Sequence, residues 1–272
     1  MARAVNPYVW GDPWEFDPRL SRVTATLGDV PWVGRPHHGP CFLLQRLDGW
    51  WGGGAVSGGP TPFPAGDSGI HGDTFLHGRV VTLRGKVLTE NGAQQLDAFD
   101  ELGAIFATAR RVRLEVEESE RSMARYLTVA PVTLPVPQPI SDRVAEVSVT
   151  VESDKFPLLD VVEQSVTIPA AGVSMKNDGT YRAYPVVSLV GPLTNPGLSW
   201  PGGSWTYNST IPSGTTITVE MDRRWVRNLA NTVHSRNVVS GSWLGLPRGA
   251  TVVKRTGRGS GSIRAVWRSA WS

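Results

Sequence analysis

The sequence predicts a mainly β protein of two domains, on three observations. Thirty Gly and 21 Pro stand among numerous Val and Thr, apolar residues alternate at period two in one segment after another, and a single stretch carries a helical period. With 272 residues, 40% of them apolar, the chain is long enough to bury a real core and to divide in two.

Residues 1–65 hold Trp10, Trp14, Trp32, Trp50 and Trp51 beside weak strands at 22–27 and 41–47. This stretch is too aromatic for a disordered tail, and the five tryptophans are predicted to serve an interface. The run Trp51-Gly-Gly-Gly-Ala-Val-Ser-Gly-Gly-Pro60 reads as a flexible loop continuing to Ile70, of a length often used as a contact arm.

From Arg79 to Glu117 lies a strand, helix, strand unit. Val81, Leu83 and Val87 share one face of the first strand, while Thr82, Arg84 and Lys86 share the other. Asn91 followed by Gln94 forms a capping signal for a helix over about 92–109, with Leu96, Phe99, Leu102 and Phe106 as its apolar stripe. Val112, Leu114 and Val116 then return to strict alternation. Strands at 125–134 and 143–151 follow, joined by the stiff tip Pro135-Val-Pro-Gln-Pro139.

Phe156-Pro157 and Ile168-Pro-Ala-Ala-Gly172 mark a change of pattern, so the predicted division is a first domain at 1–155, a linker at 156–178 and a second domain at 179–272. In the second domain, strand signals at 181–190, 205–207, 215–221, 225–228, 250–254 and 262–267 alternate with Gly/Pro turns. That spacing predicts an antiparallel sandwich without a helix, with Trp225 and Trp267 buried inside its strands.

Charge divides unevenly: residues 1–159 carry 15 Lys+Arg against 19 Asp+Glu, and residues 160–272 carry 12 against 5. The arginines of the basic half are scattered rather than gathered on one element, which points away from nucleic acid and toward an acidic protein surface or another copy of the chain. Cys41 is the only cysteine, so neither an internal disulfide nor a cysteine zinc pair can form. No apolar run approaches membrane-span length, and the polar start shows no signal peptide, so neither secretion by that route nor a membrane association is expected.

Catalytic signals dissolve on inspection. Asp67, His71, Asp73 and His77 recur every few residues, but their Gly-rich setting gives the side chains no reason to converge on a metal. Gly66-Asp67-Ser68-Gly69 is a fragment of a protease nucleophile motif without a partner histidine in a fitting context. Glu115, Glu117, Glu118 and Glu120 read as a solvated strand end. No enzyme activity, cofactor or metal is expected. Trp200, Trp205, Trp243 and Trp271 could stack a glycan or meet a partner, although core and interface anchoring is the commoner use of such residues.

A family resemblance adds to this. Gly179-Thr-Tyr-Arg-Ala-Tyr-Pro-Val-Val-Ser-Leu-Val-Gly-Pro-Leu-Thr-Asn-Pro196 resembles the start of the C-terminal domain of siphovirus distal tail proteins. Gly78–Gly85 followed by one helix is similar to their N-terminal domain. Ile211–Asp222, Trp243–Gly249 and Ala265–Arg268 follow in the same order. The resemblance implies a tail-tube-like first domain and a galectin-like second one. It further implies a hexameric hub ring of the virion tail tip, assembled in the host cytoplasm and contacting the tail-tube protein and tail-tip or baseplate proteins. The alternative is a carbohydrate-binding receptor-recognition module of the tail that meets host-surface carbohydrate.

Overall fold

The computed structural model describes residues 17–36, 39–52, 56–57, 60–62, 69–71, 75–76, 78–107, 110–228 and 239–272. It is mainly β. The chain forms two compact units, Met1–Phe156 and Pro157–Ser272.

In unit 1 a 3-10 turn (Pro18–Arg22) leads into β1 (Val23–Leu27), β2 (Val30–Val33) and β3 (Cys41–Asp48). Four short strands follow, β4 (Val56–Ser57), β5 (Pro60–Pro62), β6 (Gly69–His71) and β7 (Phe75–Leu76). Then come β8 (Val80–Leu88), α1 (Gly92–Ala104), β9 (Val112–Glu118), β10 (Met123–Thr133), β11 (Gln138–Pro139) and β12 (Val144–Ser153). The main sheet runs β12-β8-β3-β2-β1-β9-β10, and β10 also pairs with β12, so the sheet closes into a barrel. Closure removes the open edges that so many strands would otherwise present. All its pairings are antiparallel except β2 with β3.

Alternation decides what fills the barrel. Val23, Ala25 and Leu27 of β1, Val81, Leu83 and Val87 of β8, Leu114 and Val116 of β9, and Ala145, Val147, Val149 and Val151 of β12 are all buried. Each valine or leucine among them contributes about 1.5–3 kcal/mol relative to exposure. Lys86, assigned to the wet face by its alternation, is only 5% exposed; it lies between Leu43 and Glu146 in the ladder, so a neighbouring strand on each side covers its stem.

The helix starts where its cap predicts. Asn91 is extended, and its side-chain oxygen accepts from Gln94 N at 3.1 Å, while Gln94 Oε1 accepts from Glu90 N at 3.0 Å. It ends at Ala104, earlier than the expected 109, as the chain tightens into an i→i+3 turn with Ala107 N donating to Ala104 O. The buried stripe is Gln95, Ala98 and Leu102, whereas Leu96 is 63% exposed. The stripe is rotated by one residue because Gln95 turns inward to donate to Ser141 O at 2.9 Å.

The loop expected over 51–70 carries two short ladders instead. β4 pairs with β7 and β5 with β6, so these four strands pair back on one another as a hairpin arm.

Unit 2 contains β13 (Leu158–Asp160), β14 (Gln164–Thr167), β15 (Val173–Asn177), β16 (Val186–Val190), β17 (Leu193–Trp200), β18 (Gly203–Tyr207), β19 (Thr210–Ile211), β20 (Thr216–Glu220), β21 (Trp225–Asn228), β22 (Val239–Gly241), β23 (Gly249–Arg258), β24 (Ser262–Trp267) and β25 (Ala270–Trp271). One antiparallel sheet has the order β14-β24-β16-β20-β21; the other runs β15-β23-β17-β18-β22, with β19 on β17. Val187, Leu189, Ile217, Val219, Ile263 and Ala265 of the first sheet share one core with Met175, Leu198, Trp205, Tyr207 and Val253 of the second.

Residues 156–178, expected as a linker, carry β13, β14 and β15, and these pair with β25, β24 and β23. Asn177 shows why this segment is structural. Its Nδ2 donates to Tyr181 O at 2.8 Å and Leu246 O at 3.0 Å, and its Oδ1 accepts from Gly179 N and Ala270 N at 3.0 and 3.2 Å. A buried amide with all these bonds made ties three chain segments together.

Candidate functional site

The surfaces open to a partner are best judged from the tryptophans. Trp10 and Trp14 lie outside the described residues. Trp32 and Trp50 do not form an interface on the surface of unit 1: both are fully buried, Trp32 with its ring 5.6 Å from that of Phe42. An indole on a half-buried strand fills the barrel interior more favourably than it faces water. Among the described tryptophans of this group, Trp51 reaches solvent, 36% exposed, with the Arg19 guanidinium 5.3 Å above its ring.

Arg19 is held there by Asp17. The Asp17 carboxylate accepts from Arg19 Nε at 2.9 Å and from Arg19 N at 3.0 Å, capping the 3-10 turn. The side-chain hydrogen bond from Arg19 keeps the Asp17 carboxyl below its ordinary pKa. Arg19, Arg22, Arg121, Glu118, Glu120, Val23 and Trp51 line a cleft of about 220 Å³. Arg22 pairs with Glu120 at 3.2 Å and Arg121 with Glu118 at 3.3 Å. Such a mosaic of paired charges around one aromatic suits contact with a protein surface and has no free acid, base or nucleophile for chemistry.

Beneath Trp51 the arm is fastened by a residue that no sequence pattern marks. Arg79 is 1% exposed; its Nε donates to Phe156 O at 2.9 Å and its Nη1 to Trp50 O at 3.1 Å and to Gly52 O. Its guanidinium lies 4.8 Å from the Phe156 ring centroid. Burial, with the charge of Arg125 nearby, holds its pKa below the usual arginine value. Gly78 allows this fastening, since a Cβ there would stand 1.7 Å from Ser153 O. Both legs of the hairpin arm are thereby fixed at the barrel wall.

At the β10–β12 connection the Pro-rich tip is strongly apolar and open. Leu134, Val136 and Ile140 are 65%, 68% and 59% exposed.

In unit 2 the four tryptophans do not form a common face. Trp205 is fully buried, its ring 6.0 Å from that of Trp243, and Trp271 is buried on β25 against β13. Trp205 alternates with outward residues on β18, and Trp271 follows the equally buried Ala270 on β25, so both belong to the packing of the sheets. Trp200 and Trp243 are half-buried, and Trp200 lines a shallow cleft with Ser199, Pro201, Val252 and Lys254. Trp267 is buried, and its Nε1 donates to Lys176 O at 2.9 Å. Trp225, expected to be buried, is 38% exposed, because Val226 takes the inward position on β21.

Asp67, Asp73, His77 and Ser68 lie outside the described residues, and His71 falls in β6. Among the described residues no three His, Cys, Asp or Glu side chains gather as a metal site. Among them, too, no helix is long and apolar enough to cross a membrane. Glu115 pairs with Arg113 at 2.9 Å, Glu118 with Arg125 and Glu120 with Arg22, so three carboxylates of this acidic run are held in ion pairs.

No protein-family model matches the sequence, and no curated protein matches it. Among solved structures, the Dit protein (gp 19.1) of phage SPP1, described as a paradigm of the hub adsorption apparatus of phages infecting Gram-positive bacteria, aligns with a TM-score of 0.66 at 13% identity. That alignment covers 92% of this chain and 99% of the SPP1 chain. Chains of the phage P2 baseplate in its activated conformation, with Ca or Sr, align with a TM-score of 0.46 at 7% identity, covering 90% of this chain and 97% of theirs. Over nearly its whole length, then, this chain has the fold of the SPP1 Dit protein.

Proposed function

We propose that the chain is a structural, non-catalytic virion protein of a tailed bacteriophage: a distal tail protein whose copies form a hub ring between the tail tube and the tip complex. The observation that carries this reading is the end-to-end fold likeness to the SPP1 Dit protein, which spans both units of this chain and nearly all of that one. Unit 1 builds the ring, with six copies as the expected number, and unit 2 is its galectin-like outer module. The apolar tip at 132–140 supports an assembly role, since it offers a neighbour a surface costly to leave in water. The partners are other copies, the tail-tube protein and tail-tip or baseplate proteins; nucleic acid and membrane are not among them. The protein is made in the host cytoplasm and resides in the virion.

The test is localisation in the particle. Gold-labelled antibody against unit 2 should mark the distal end of intact tails; label along the tube or on the head would refute the reading.

A further inference from the structure

The outer face of the five-stranded sheet in unit 2 carries a cluster that the tail-hub reading leaves unused. Ladder register places Val186, Glu220 and Trp225 side by side on β16, β20 and β21. Val186 is 41% exposed and Trp225 38%, while Val226 between Trp225 and Arg227 points into the core. Trp225 and Arg227 therefore share the outward face of β21, the last strand of this sheet. The β20–β21 connection supplies Arg223 and Arg224, the latter with φ +58°.

Two guanidinium groups lie over the Trp225 ring, that of Arg227 at 4.4 Å and that of Arg223 at 5.1 Å from the centroid. Both lean on one carboxylate: Glu220 is 3.6 Å from Arg223 Nε and 3.8 Å from Arg227 Nε, which are ion-pair distances without a hydrogen bond. Arg227 Nε is buried and has no hydrogen-bond partner among the described residues. The indole thus orders two guanidinium groups whose shared carboxylate lies beyond hydrogen-bond distance. Stacked arginines have lost part of their side-chain freedom already, so a ligand carboxylate costs them less to engage.

We propose that this face binds an acidic protein segment, with Trp225 as its apolar anchor and Arg223 and Arg227 as carboxylate clamps. Tryptophan and arginine around an exposed apolar neighbour is the composition of a protein-binding hot spot. A sugar would need the indole faces that the guanidinium groups cover. The excess of 12 basic over 5 acidic residues in 160–272 would draw an acidic partner toward this unit. The proposal concerns unit 2 alone and does not depend on the tail-hub reading.

The test uses the full chain and a short fluorescein-labelled peptide of alternating Glu and Leu, followed by anisotropy. The same peptide with Gln for Glu, and heparin as a polyanionic glycan, serve as competing probes. Saturable binding of the Glu peptide is expected. It should weaken about tenfold in Trp225→Ala and about a hundredfold in Arg223→Glu/Arg227→Glu, each tenfold step corresponding to about 1.4 kcal/mol. Arg264→Glu, which reverses one exposed charge on the same sheet, should leave it within about twofold. Equal weakening by Arg264→Glu, absence of saturation, equal affinity for the Gln peptide, or heparin displacing the peptide at lower concentration than unlabelled Glu peptide would each overturn the proposal.

Discussion

Arg79 donates from Nη1 to the backbone carbonyl of Trp50 at 3.1 Å, joining the returning leg of the hairpin arm to its outgoing leg inside the wall of the unit 1 barrel. The same side chain holds the carbonyls of Gly52 and Phe156. Lysine keeps the charge but has no planar fork to serve three carbonyls in different directions. Arg79→Lys should therefore lower the stability of the full chain by about 2–4 kcal/mol in denaturant unfolding, because buried acceptors are left unmade. A loss under about 0.5 kcal/mol would show that the carbonyls find other donors.

A second buried arginine behaves differently because its partner is charged. Arg125 and Glu118 form an ion pair with side chains only 6% and 8% exposed. Removing one partner strands the other, so Glu118→Leu should cost about 3–5 kcal/mol. The double variant Glu118→Leu/Arg125→Met should recover at least half of that, measured by the same unfolding experiment. A double variant as unstable as the sum of the two single ones would contradict the pairing.

Asn177 tests whether residues 156–178 belong to the second unit. Its amide makes four hydrogen bonds, three of them buried, to segments near 179, 181, 246 and 270. Asn177→Ala should destabilise unit 2 by about 2–4 kcal/mol, and truncation before β16 should prevent a cooperative melt of what remains. A fragment beginning at Gly179 that melts as sharply as one beginning at Pro157 would restore the linker reading.

Neighbouring tryptophans should separate cleanly. Trp50→Ala empties a fully buried site and should cost about 3–5 kcal/mol, whereas Trp51→Ala, at a 36% exposed site, should change stability by about 0.5 kcal/mol or less. Under the hub reading Trp51→Ala should still weaken association of the folded chain, seen as a shift to smaller species in sedimentation. Unchanged association would remove Trp51 from the interface.

These contrasts show what the sequence could and could not reveal. The cap at Asn91 and Gln94 and the alternation of Val81, Leu83, Leu114 and Val116 are local signals, and the structure follows them. β17 was hidden because Pro196 and Gly197 interrupt it; the ladder with β23 shifts register there, and a Cβ on Gly197 would stand 2.4 Å from Trp205 O. β13 to β15 were hidden because each is short and their partners lie about a hundred residues away or nearly so. Trp32 and Trp50 lie in the core for a reason no pattern shows: an indole is equally at home in a core and at an interface, and only three-dimensional neighbours distinguish Trp50 from Trp51. Arg79 carried no signal at all, because its acceptors are backbone carbonyls, which every residue supplies.

The central claim, that this chain is a ring-forming tail hub subunit, is tested most directly by the native mass of the purified full chain, alone and with its tail-tube protein, together with electron microscopy of the same samples. The account predicts a closed ring of six copies, at least in the presence of the tube protein. A chain that stays monomeric in both samples, and shows no ring at the distal end of assembled tails, would contradict it.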